Sequence, residues 1–100
     1  MLRATLLGAC AILAVALPAQ TFEAPVRLQS GESFLGSTLN KRDRLYPSPA
    51  LHDIDGDGKA DLVIGDLFGN LTVAKRTKDG WGTEEPLKAT DGKPLKFNNW

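Results

Sequence analysis

Apolar residues along this chain fall into two arrangements, and each predicts a different element. From Leu6 to Leu17 they form one near-continuous run, broken only by Gly8. Beyond it they never recur at helical spacing for long, while Gly, Pro, Asn and Asp interrupt the chain every few residues, which is the signature of short strands and turns. Pro25-Val26-Arg27-Leu28-Gln29 alternates apolar with polar and is bounded by Ser30-Gly31, so it predicts a first strand. Ala50-Leu51-His52 and Asp61 to Ile64 predict two more, the latter rich in β-branched residues. Leu67-Phe68-Gly69-Asn70 predicts a turn, and Leu71 to Lys75 the return strand of a hairpin. Asp79-Gly80 and Asp91-Gly92 are turn signals that set off Trp81–Leu87 and Lys93–Phe97 as last strands. Gly31–Pro49 carries no clear pattern, and its charge run Lys41-Arg42-Asp43-Arg44 reads as a solvated loop. The fold class expected is all-β, an antiparallel β-meander.

The N-terminal run has the order of an export signal. Met1-Leu2-Arg3 supplies a positive start, the apolar stretch follows, and Pro18-Ala19-Gln20 ends it. Such a signal is helical. A membrane-spanning helix needs about 20 apolar residues, more than this run offers, so no stable membrane span is expected. Cleavage is expected after Ala19, with Ala16 as the competing site. Leu7-Gly8-Ala9-Cys10 resembles a lipoprotein box, but the apolar run continues past Cys10, where a lipidated cysteine should close it. The expected location is therefore secreted, periplasmic or cell-surface. With Cys10 inside the signal, the rest of the chain has neither a disulfide nor a thiolate metal site.

Charge changes the picture only locally. The 100 residues carry 12 basic and 12 acidic side chains, a balance that argues against a nucleic-acid partner. Between Asp53 and Asp66, however, five aspartates face one lysine, and carboxylates held close repel one another unless a cation lies among them. In Asp53-Ile54-Asp55-Gly56-Asp57-Gly58-Lys59-Ala60-Asp61 the aspartates stand at positions 1, 3, 5 and 9, with Gly58 at 6. Calcium takes six to eight oxygens from such alternating carboxylates. Gly58 permits a sharp turn, so that Lys59 contributes its backbone carbonyl. The candidate ligands are Asp53, Asp55, Asp57, Lys59 and Asp61, and the candidate metal is Ca2+ rather than zinc or copper, because no imidazole or thiolate is placed to bind. His52 is read as structural. An EF-hand or dockerin-like assembly module shares these nine positions but needs a bidentate Glu at position 12, where this chain has Ile64, and a helix after the loop.

Pro49 to Asp66, followed by Gly69-Asn70-Leu71-Thr72-Val73, resembles one VCBS or FG-GAP-type repeat. The Phe-Gly pair of integrin-type repeats is replaced by Leu45-Tyr46, and only Gly65 remains of their Gly-Ala-Pro, so the VCBS-like branch fits better. The resemblance implies a calcium loop joining two strands of a β-propeller blade, and this chain as a single blade or the leading part of a propeller. It implies an exported, non-catalytic interaction or adhesion module with a protein or glycan ligand; the alternative is the non-catalytic part of a secreted propeller hydrolase or lyase. The chain divides into a signal peptide over 1–19, a strand and irregular segment over 20–48, the loop-hairpin repeat over 49–78 and C-terminal strands over 79–100. Ending on Trp100 without a polar tail reads as truncation.

Overall fold

The computed structural model describes residues 16–98. Most of the expected signal peptide lies outside them. Among the described residues every regular element is a strand, and none forms a helix long and apolar enough to cross a membrane. Two small antiparallel hairpins come first: β1 (Gln29–Ser30) with β2 (Ser33–Phe34), and β3 (Thr38–Leu39) with β4 (Arg42–Asp43). The second turns through Asn40 and Lys41 at φ 51° and 63°, the two left-handed positions of a tight turn whose twist matches its strands.

A four-stranded antiparallel meander follows, β5 (Ser48–His52), β6 (Asp61–Gly65), β7 (Leu71–Ala74) and β8 (Glu85–Pro86), in chain order. The all-β, antiparallel expectation holds. His52 pairs with Asp61, so the acidic loop joins the last residue of β5 to the first of β6. Leu51, Leu62 and Ala74 stand opposite one another across three strands, as do Pro49, Ile64 and Thr72. Directly opposed residues share a face, and on this face Leu62, Ile64 and Ala74 are buried with Leu35 and Trp81 packed against them. Both outer strands carry a proline, Pro49 and Pro86. Proline cannot donate to a ladder, so it is tolerated at sheet edges and blunts them against further pairing.

Three expectations need correction. Pro25–Leu28 is not a strand; ladder pairing begins at Gln29, and before it the segment meets its neighbour through the bond from Leu35 N–H to Leu28 O (2.9 Å) and the Arg27 guanidinium over the Phe34 ring (4.0 Å), while Val26 is exposed. Trp81–Leu87 and Lys93–Phe97 are not full strands: only Glu85–Pro86 pairs continuously, and the remainder forms single bridges, Arg76 with Trp81, Asn70 with Lys96 and Lys88 with Pro94. Pro86 and Pro94 interrupt the donor row there. The third concerns Lys41–Arg44. Its first three residues are exposed, but Arg44 is buried.

Candidate metal centre and the buried arginine

Between β5 and β6 the acidic loop is shaped by its own carboxylates. Asp53 accepts hydrogen bonds from the backbone N–H groups of Gly56 (2.8 Å) and Asp57 (3.2 Å) on Oδ1 and of Gly58 (2.8 Å) on Oδ2. Gly56 and Gly58 adopt φ of 73° and 85°, a left-handed backbone that side chains with a Cβ resist. Alternating left-handed glycines wrap the loop around the Asp53 carboxylate. Asp61 closes it from the other end. Fully buried, it accepts from Ile54 N–H on Oδ2 (3.1 Å) and from Arg76 N–H on Oδ1 (2.8 Å), bracing the loop against the exit of β7.

Asp53, Asp55 and Asp61 each offer a ligand atom, and these atoms lie within 4.8 Å of one another. Two oxygens on one calcium ion can be no farther apart than twice the metal–oxygen distance, about 4.6 to 5.2 Å, so the three fit a single ion. Of the five residues expected from the sequence, these three come together. The Asp57 carboxylate instead accepts from Lys59 N–H at 2.8 Å, which fixes the turn ahead of the Lys59 carbonyl. Lys75, which the sequence reading did not place here, puts Nζ 3.0 Å from Asp55 Oδ2. Its hydrogen bond holds the Asp55 carboxyl below the usual carboxylate range and raises the lysine in turn. The pair is largely open to solvent. The loop runs directly into β6, so the helix that an EF-hand or dockerin requires after it is replaced by a strand.

Arg44 forms a second polar centre on the covered face of the sheet. Its side chain is 1% exposed. Nε donates to Asp66 Oδ2 (3.2 Å), Nη1 to Thr72 Oγ1 (2.7 Å) and Glu84 Oε1, and Nη2 to the carbonyls of Ile64 (3.0 Å) and Asn70 (3.5 Å). All five guanidinium donors are thereby engaged. Thr72 Oγ1 donates onward to Glu84 Oε1 at 2.6 Å, and Glu84 Oε2 accepts from Gly36 N–H at 2.7 Å. Asp66 also accepts from the N–H groups of Phe68 and Asn70 and from the Asn70 amide. Burial pushes the Asp66 carboxyl up, but the Asn70 hydrogen bonds and the Arg44 charge outweigh it and leave the group below its ordinary value. With no donor to spare, Arg44 is a staple between the β3–β4 hairpin and the sheet. The signal for it was Asp66, which stands five residues past the ninth loop position and so needed a cation other than the metal.

The chain matches no protein-family model, no curated protein and no solved structure.

Proposed function

We propose that this chain is an exported, non-catalytic β-module of the VCBS or FG-GAP type, in which one calcium ion stabilises the β5–β6 hairpin and the surface serves to bind a protein or glycan. The observation that carries the calcium reading is the convergence of Asp53, Asp55 and Asp61 within 4.8 Å, on a loop whose backbone is already wrapped around Asp53. A divalent cation there would relieve the repulsion that Lys75 offsets chiefly at Asp55. It would join the β5–β6 loop to the brace that Asp61 makes with Arg76. Calcium suits the site better than magnesium, because a flexible loop of carboxylates and carbonyls tolerates irregular coordination at 2.3 to 2.6 Å, whereas magnesium demands a near-ideal octahedron and holds its waters.

The non-catalytic part of the proposal rests on how the buried acidic groups are held. Asp66 and Glu84 are both bound to Arg44, and neither is placed to move a proton. The test is isothermal calorimetry with calcium on the chain and two variants. Binding with a dissociation constant of about 0.1 to 1 mM, the range of extracellular modules, is expected. Asp55→Ala should weaken it at least tenfold and Lys59→Ala, which keeps its carbonyl, less than threefold. Equal losses in the two variants, or no heat with the native chain, would refute the ligand assignment.

A further inference from the structure

An open groove of about 630 Å3 runs between the exit of β7 and the edge strand β5. Its floor is apolar, from Leu51, Ala60 and Trp81, and its rim carries three cations, Lys59, Arg76 and Lys78. No carboxylate lines it, and among the described residues no ion pair engages any of the three. Lys59 stands on the acidic loop between Asp57 and Asp61, while Arg76 and Lys78 bring positive charge to the groove from the exit of β7.

The groove is also rigidly built. The Arg76 guanidinium lies 4.6 Å above the Trp81 ring, an arrangement that restrains both side chains. Its backbone is anchored by the bond from Arg76 N–H to Asp61, and the hairpin that carries it is closed by Thr77 N–H to Gly80 O (2.9 Å) and Gly82 N–H to Lys75 O (2.8 Å). Leu51, on β5, is 64% exposed although it stands on the covered face of the sheet.

We infer that this groove binds an anionic polysaccharide, a chain of sugar rings bearing carboxylates or sulfates. The rim cations suit a polyanion, and Arg76 offers a planar fork that fits carboxylate or sulfate. The apolar floor matches the C–H faces of the rings. An acidic peptide is the less suitable occupant. An extended peptide gains affinity by adding to a sheet edge through main-chain hydrogen bonds, and the adjacent edge, β5, contains Pro49, which has no N–H to give. The inference names the partner class of the interaction module proposed above and takes only its exported setting from that reading, since the groove is argued without the metal.

The experiment is fluorescence anisotropy of labelled hyaluronan, dextran sulfate, neutral dextran and poly-L-glutamate with the full chain in calcium-containing buffer at low salt. One of the two anionic polysaccharides should bind, hyaluronan if carboxylates are read and dextran sulfate if sulfates are, with neutral dextran and poly-L-glutamate at least tenfold weaker. Arg76→Gln with Lys78→Gln should weaken binding at least tenfold, and Lys78→Gln alone about threefold, with circular dichroism unchanged. Lys88→Gln, outside the groove, should leave binding as it was. The inference is overturned if neither polysaccharide binds, if poly-L-glutamate binds as tightly as the better of them, or if the folded double variant binds normally. Calcium heat without polysaccharide binding would remove this inference alone, and polysaccharide binding without calcium heat would remove the metal reading alone.

Discussion

Two aspartates of the acidic loop do different work, and substitution separates them. Asp61 is buried and holds the N–H groups of Ile54 and Arg76, so Asp61→Ala removes the acceptor of two part-buried donors, at up to about 1 kcal/mol each. Asp55 is open to solvent, and its removal costs, besides a cation ligand, only the exposed Lys75 pair and a long bond from Asp57 N–H. Both variants should therefore lose calcium affinity, but in chelator only Asp61→Ala should melt well below the native chain; equal melting temperatures there would contradict the brace. Asp66 gives a different readout. Its folded carboxyl titrates below the ordinary value of 3.8, so ionised Asp66 stabilises the fold. That contribution is complete above the ordinary value and is lost as pH falls below it through the lowered folded value. Asp66→Asn should thus be less stable than the native chain at neutral pH and should flatten the acid limb of the stability profile. An unchanged acid limb in urea titrations between about pH 2 and 5 would show that Asp66 contributes nothing through its charge.

At the scale of elements, the β6–β7 turn is the tightest point. Gly69 has φ 77°, and an added Cβ would lie 1.8 Å from the Phe97 carbonyl oxygen, whereas at Gly31, φ 57°, it would meet nothing within 4 Å. Gly31→Ala should cost only the left-handed penalty of about 1–2 kcal/mol. Gly69→Ala should exceed it by displacing the 95–97 segment that bonds back through Phe97 N–H to Gly69 O; similar losses in denaturant midpoint would refute that docking. The central hairpin was legible in the sequence because each of its strands is short, β-branched or alternating, and bounded by Asp-Gly or Gly-Asn. The site was legible in part, since spacing alone marks Asp53, Asp55 and Asp61. What stayed hidden depends on partners distant in the chain. Arg44 looks like any residue of a charge run until Asp66, Thr72 and Glu84 are folded around it. Lys75 looks like a strand end until β7 brings it to Asp55. Pro25–Leu28 alternates correctly, yet alternation makes a strand only where ladder pairing accompanies it.

The whole molecule has little apolar core to spend. Among the described residues only Leu62, Ile64, Val73 and Ala74 are buried hydrophobics, while Leu51, Phe68, Phe97 and others remain exposed. A chain of this size without a disulfide is marginal, since small domains bury too little surface to offset chain entropy comfortably. Against that background one ion matters. Calcium at tenfold above its dissociation constant adds about 1.4 kcal/mol, and for a domain this small each kcal/mol moves the melting temperature by about 4–8 °C. The direct test is a thermal melt of the chain followed by circular dichroism in calcium, in magnesium and in chelator. Chelation should lower the midpoint by on the order of 5–10 °C, and magnesium at the same concentration should restore less than half of the loss. A midpoint that stays the same in all three would contradict a calcium-stabilised loop and leave the aspartates as the makings of a turn.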